Sequence, residues 1–122
     1  MAAQTDLWGE IVPAAVRTPV AILREQAALL GTKTKNLVEA RVVTEAHGDA
    51  FTHRFQLVAP ALENYTYALF TIQRGIDFYP VTVHGQSQAL LTEEHFVSWL
   101  RMKLSSDSTK RIVGHLIAQI TA

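Results

Sequence analysis

Residues 38–59, VEARVVTEAHGDAFTHRFQLVA, carry the strongest structural signal in the chain. In the first half of this stretch Val38, Ala40 and Val42 alternate with charged residues, which is the period of a strand with one covered face. Gly48 and Asp49 then supply a two-residue hairpin turn, because glycine accepts the positive φ that such a turn requires. The stretch therefore predicts two antiparallel strands.

The turn also predicts the register of this hairpin. If Gly48 and Asp49 form the turn, four apolar or weakly polar pairs fall on one face: Ala46 with Phe51, Thr44 with His53, Val42 with Phe55, and Ala40 with Leu57. Turn chemistry and side-chain alternation agree, so the pairing follows from two independent signals.

A second hairpin is expected from residues 65–73 and 77–85, which are rich in aromatic and β-branched residues. A turn at Gly75 and Ile76 would pair Ile72 with Tyr79, Phe70 with Val81, and Ala68 with Val83. Because proline lacks a backbone donor, Pro80 predicts that the fourth strand is an edge or is bulged there.

Helices are predicted over residues 19–30, 93–104 and 109–121. Thr18 can cap the first helix and Gly31 can end it in the left-handed conformation. Thr92 can cap the second, and Gly114 in the third predicts close packing against another backbone. The expected fold is α+β: an N-terminal helix, a four-stranded antiparallel meander and two C-terminal helices packed on the sheet.

Length and composition bound the function. With 122 residues, a formal net charge of zero and no cysteine, the chain is expected to form one domain, residues 1–122, in a reducing compartment such as the cytoplasm. Residues 1–17 are expected to form an N-terminal arm or a short helix. The charge balance disfavours nucleic acid as a partner and makes self-association plausible.

Targeting and cofactor signals are missing from the sequence. The start MAAQTDLWGE has no basic residue followed by an apolar run, so we expect no secretory signal, and no apolar stretch is long enough for a membrane span. Neither a phosphate-binding loop nor a dinucleotide motif is present, and the histidines lack metal-ligand spacing. We therefore expect no cofactor, no metal and no membrane association.

An enzyme would have to use the histidines and neighbouring carboxylates. The weak catalytic candidates are His53, His84, His95 and Glu94, acting as a general acid and base on a small molecule. However, Thr92 and the acidic pair after it are typical of a helix start, and His53 falls on the apolar face of its strand. The sequence therefore leaves open whether the protein is an enzyme and favours a non-enzymatic role.

A local basic cluster interrupts the neutral charge. Arg101, Lys103, Lys110 and Arg111 could bind an anion, an acidic partner or a nucleic-acid backbone, although a solvated face explains them as well.

Aromatic residues of the second hairpin indicate an interface. With simple alternation, Tyr65, Tyr67, Leu69 and Phe78 lie on the face opposite Phe70, so both faces of the hairpin are apolar. Helices would cover one face, and the other needs more helix, the N-terminal segment or a second subunit. The predicted interface residues are Tyr65, Tyr67, Leu69, Phe78 and Trp8. The leading hypothesis is a small binding module, with a protein partner or a second copy on this face, and cover by the N-terminal arm is the intramolecular alternative.

Overall fold

The computed structural model describes residues 5–122. These residues contain three α-helices, α1 (Pro19–Lys33), α2 (Glu93–Leu104) and α3 (Asp107–Ile120), and one 3-10 turn at Pro60–Leu62. Five strands form one antiparallel sheet in the order β1 (Glu39–His47), β2 (Ala50–Ala59), β3 (Tyr65–Arg74), β4 (Val81–Val83) and β5 (Ala89–Leu90). The α+β prediction is confirmed, with one strand more than expected.

The first hairpin has the predicted register. Gly48 takes a positive φ of 61°, and Thr44 lies opposite His53, Val42 opposite Phe55 and Ala40 opposite Leu57. Because one buried face fixes the pairing of a strand, the alternation of this stretch was sufficient to determine it.

A β-bulge in β3 changes which side chains face the helices. Phe55 pairs with Phe70, but the next residue, Gln56, pairs with Ala68, so Leu69 is the extra residue on the bulged strand. Beyond the bulge Tyr67 lies opposite Leu57, and Tyr65 lies opposite Ala59 on the same face. The prediction that these tyrosines occupy the face opposite Phe70 is therefore wrong, because one inserted residue reverses the alternation.

The predicted register of the second hairpin is also wrong. Residues 75–80 form a loop instead of a two-residue turn, and Ile72 pairs with Val83. Pro80 lies in this loop, so β4 begins after the residue that cannot donate. β4 is not an edge, since the two-residue strand β5 pairs with its outer side.

α1 continues three residues past its predicted end. Thr18 caps it as expected, with the Ala21 amide donating to Thr18 Oγ1 at 3.1 Å. Gly31 is helical and buried, which contradicts its predicted role as a left-handed terminator. The positive φ values occur at Lys35 and Asn36, and the Asn36 amide donates to the Gly31 carbonyl at 2.8 Å.

Capping residues determine where the two C-terminal helices begin. The His95 amide donates to Thr92 Oγ1 at 3.2 Å, so the start of α2 and both of its bounds agree with the prediction. α3 begins two residues earlier than predicted, because Ser106 caps it by accepting from the Thr109 amide at 3.2 Å.

One buried apolar cluster joins the sheet to all three helices. Its helix members include Leu23 of α1, Phe96 of α2 and Leu116 of α3, and its sheet members include Phe55 and Ile72. Phe55 and Phe70 stack with ring centroids 5.1 Å apart, and Phe70 meets Trp99 edge to face at 5.0 Å. The helices therefore cover one face of the sheet, on which the candidate site lies.

Candidate functional site

A groove of about 670 Å³ opens between the three helices and the covered face of the sheet. Phe55, Leu57 and Leu69 of the sheet form its floor. Its apolar walls come from α1 (Ile22, Leu29, Leu30), α2 (Val97, Leu100, Leu104) and α3 (Val113, Ile117). The volume lies in the range of pockets that hold small molecules or short segments.

Four cationic side chains also line this groove: Arg17, Lys33, Arg101 and Lys110. Among residues 5–122, no carboxylate lines it. Arg17 is paired with Glu25, whereas Lys33, Arg101 and Lys110 form no ion pair with any described residue. The groove therefore combines apolar walls with uncompensated positive charge.

The predicted basic cluster is divided by the helices that carry it. Arg101 and Lys110 line the groove, whereas Lys103 and Arg111 do not. Successive helical residues point about 100° apart, so side chains adjacent in sequence reach different surroundings. Sequence proximity therefore grouped four cations that the fold separates into two pairs.

Gly114 borders the groove at mid-helix. The structure contradicts the expected close packing, because a Cβ built on Gly114 would meet no heavy atom within 4 Å, whereas one on Gly31 would lie 3.2 Å from Asn36 Oδ1. Gly114 thus leaves open space where any other residue would place a side chain.

We expect Gly114→Ala to raise the free energy of unfolding by about 1 kcal/mol, because alanine is the better helix former and its methyl group meets no neighbour. Urea denaturation followed by circular dichroism measures the change. Gly31→Ala is the matched control and should gain less, since its methyl group must displace Asn36. A loss of stability in Gly114→Ala would contradict this description of the groove wall.

His53 is buried at the centre of a hydrogen-bond network. Arg74 Nε donates to His53 Nε2 at 3.1 Å, so the ring proton resides on Nδ1, which donates to Thr44 Oγ1 at 2.9 Å. Burial, reinforced by the positive charges of Arg74 and Arg24, lowers the pKa of His53 to about 4. His53 is therefore neutral at neutral pH, with both ring nitrogens engaged.

The other catalytic candidates are exposed. His84, His95 and Glu94 all lie at the surface, and none of them hydrogen-bonds through its side chain to a described residue. In the part of the chain that the structure describes, no group of three or more acidic or imidazole side chains could hold a metal ion. The imidazole–carboxylate contact of the described residues is instead between exposed His47 and Glu45, at 3.2 Å.

Tyr79 is a half-buried residue with a buried hydroxyl oxygen, and the sequence did not single it out as a site residue. Its hydroxyl has no hydrogen-bond partner among the described residues, and its ring lies 6.4 Å from that of Phe96. Burial and the nearby Glu93 carboxylate raise the pKa of Tyr79, which Arg17 partly opposes. The phenol therefore stays protonated, and the raised pKa reflects its packing beside α2.

The predicted interface residues do not form one surface. Leu69 is buried in the groove floor, while Tyr65 and Tyr67 are exposed on the same face of β3 and Tyr67 lies beside Leu57. Phe78 is half-buried in the loop before β4 against the Arg74 guanidinium. Trp8 lies in the N-terminal region and is 81% exposed.

Residues 5–18 contain neither helix nor strand, so the short-helix form of the predicted arm is absent from its described part; residues 1–4 lie outside the described residues. Leu7, Trp8, Ile11 and Val12 are each at least 70% exposed. Of residues 5–16, none lines the groove. The predicted alternative in which this arm covers the sheet is therefore not the arrangement observed.

Sequence reasoning identified cations and apolar stripes but not the groove that they share. The signal was the position of Arg101 and Lys110 on helix faces next to apolar residues, which a helical projection could have shown.

Of the three helices in the described range 5–122, none has the length and apolar character needed to cross a bilayer. No family model, curated protein or solved structure matches the chain.

Proposed function

We propose that the protein is a non-enzymatic interaction module whose groove binds an apolar segment of a protein partner that also carries negative charge. The observation behind this proposal is the lining of the groove, which is largely apolar and includes unpaired Lys33, Arg101 and Lys110 but no carboxylate from the described residues.

Apolar walls favour an apolar occupant because burial removes both surfaces from water. Each Å² of apolar surface buried contributes about 25 cal/mol, so a few large side chains of a partner would supply most of the affinity. Leu29 at the groove edge is 49% exposed in the free chain and would gain such cover.

The cations select the charge of the partner. Lys33, Arg101 and Lys110 come from three different helices, so their charges converge on the groove from several sides. A carboxylate entering there would meet unpaired cations, whereas a cationic segment would be repelled. The lining therefore favours acidic segments over neutral or basic ones.

The alternatives have weaker geometric support. The enzyme hypothesis required His53, His84 or His95 beside Glu93 or Glu94, and the ring of His53 is instead hydrogen-bonded to Thr44 and Arg74. The nucleic-acid hypothesis required four cations on one surface, and Arg101 and Lys110 lie in the groove apart from Lys103 and Arg111. The interaction module remains the proposal that uses the observed lining.

Anilinonaphthalene sulfonate, an apolar dye with one negative charge, is a suitable probe of the groove. We expect its fluorescence to rise on binding to dilute folded protein, and Arg101→Glu with Lys110→Glu to weaken the dye affinity roughly tenfold or more, about 1.4 kcal/mol. Lys103→Glu with Arg111→Glu is the matched control, because it makes the same change in net charge on the same helices outside the groove.

Circular dichroism establishes that each variant is folded before titration. Dye binding that is equally weakened by both double variants would indicate a general charge effect and overturn the groove assignment. The groove assignment would also be overturned if the dye bound neither to the folded parent protein nor to a folded Leu7→Asp, Ile11→Asp variant. That variant removes two exposed apolar side chains of the N-terminal region, which could otherwise compete with the dye.

A further inference from the structure

The described part of the N-terminal region contains an exposed apolar segment, which we define as residues 5–12, TDLWGEIV. Leu7 is 90%, Trp8 81%, Ile11 71% and Val12 70% exposed. Four large apolar side chains within eight residues, all in contact with water, are typical of a surface that a partner covers.

The charge of this segment is opposite to that of the groove. Asp6 and Glu10 are its charged side chains, interleaved with the apolar ones, and the unpaired cations of the groove are Lys33, Arg101 and Lys110. The segment therefore has both properties that the groove favours: apolar side chains for its walls and carboxylates for its cations.

The two complementary surfaces of one chain do not meet. Arg17 lines the groove, yet none of residues 5–16 does, although the segment is joined to Arg17 through only residues 13–16. A reciprocal exchange between two copies would cover both surfaces, since each copy offers one segment and one groove. Such an exchange closes with two-fold symmetry and leaves neither surface unused.

We infer that the apolar segment of one copy occupies the groove of a second copy, and that the second copy reciprocates to form a symmetric dimer. This inference rests on the proposed function of the groove, and it identifies the partner as the same chain. Trp8 of one copy would then be covered by the apolar lining of its partner's groove, whose floor includes Leu69.

Reversal of the charges of the segment, of the groove, or of each in a separate copy tests this inference in the full chain. Size-exclusion chromatography with light scattering should give twice the chain mass of 13.5 kDa for the parent protein. Asp6→Lys with Glu10→Lys makes the segment cationic, and Arg101→Glu with Lys110→Glu makes the groove acidic. Each double variant alone should therefore be monomeric, because its segment and groove then share one sign of charge.

Mixing these two double variants should restore the dimer. In the mixture the cationic segment faces the acidic groove and the acidic segment faces the cationic groove, so both contacts are complementary again. Because restoration needs two different chains, it distinguishes exchange from docking of the segment on its own groove. Lys103→Glu with Arg111→Glu should remain dimeric, since it leaves the groove unchanged.

Substitution of the apolar side chains of the segment is a second test of the dimer. Leu7→Asp with Ile11→Asp should give a monomer that binds the dye more tightly at high protein concentration, because its groove is vacated. A parent protein that is monomeric at all concentrations, a mixture that stays monomeric, or a dimer that survives the Leu7 and Ile11 changes would overturn the inference. If dye binding still depends on Arg101 and Lys110 in those cases, the proposed function stands without the dimer.

Discussion

Replacement of Phe96 by alanine should lower the free energy of unfolding by about 3–5 kcal/mol. The Phe96 side chain is fully buried, and its ring lies 6.4 Å from those of Tyr79 and Trp99. Alanine would leave a cavity where the start of α2 meets the loop before β4. Small domains are stable by only about 5–15 kcal/mol, so the variant should unfold at a much lower urea concentration.

Met102→Ala is the control for this substitution. Met102 lies on the same helix and is 74% exposed, so its removal should change stability by no more than about 0.5 kcal/mol. If Phe96→Ala cost less than about 1 kcal/mol, Phe96 could not be the anchor that joins α2 to the sheet.

The stability of the protein should fall as the pH decreases from 7 towards 4, because folding holds His53 neutral. The pKa of His53 is about 4 in the folded chain, whereas a histidine exposed to water, as in the unfolded chain, has a pKa of 6.5. The unfolded chain therefore binds a proton first, and the contribution of neutral His53 is complete above about pH 6.5 and declines below it. The loss should approach about 3 kcal/mol near pH 4, of which roughly 2 kcal/mol appears by pH 5.

His53→Gln isolates this effect from other titrations. Its amide oxygen can accept from Arg74 in place of Nε2, and urea denaturation at pH 7 and pH 5 should show a smaller difference than in the parent protein. His95→Gln changes an exposed histidine and should keep the parent dependence. An unchanged pH dependence in His53→Gln would show that His53 does not carry the effect.

Local signals predicted the parts of the fold that depend on neighbouring residues. The hairpin of β1 and β2 follows from alternation on both sides of Gly48, and the starts of α1 and α2 follow from Thr18 and Thr92. In each case the residues that determine the structure are close in sequence, and the two threonines act through side-chain oxygens that accept from backbone amides three residues later.

The features that escaped prediction depend on distant residues. The apolar residues of β3 change phase between Leu69 and Phe70, but a regular strand with both faces covered has the same pattern. The packing of Leu69 and Phe70 with Phe55 and the helices distinguishes the bulge from such a strand. The loop at residues 75–80 resembles a shorter turn in sequence, and its length follows from the pairing of Ile72 with Val83. The groove likewise requires the relative positions of three helices, which no single segment encodes.

The bulge at Leu69 divides β3 into two parts, and the alternation of side chains between the two faces shifts by one residue from one part to the other. A strand with such a phase shift is sensitive to its length as well as to its composition. Deleting Ala68 would remove the extra residue and pair Leu69 with Gln56, which turns Leu69 away from the groove floor while Tyr67 stays opposite Leu57 and Tyr65 opposite Ala59. For this strand, a single-codon deletion would therefore alter the floor of the groove with no change in any remaining side chain.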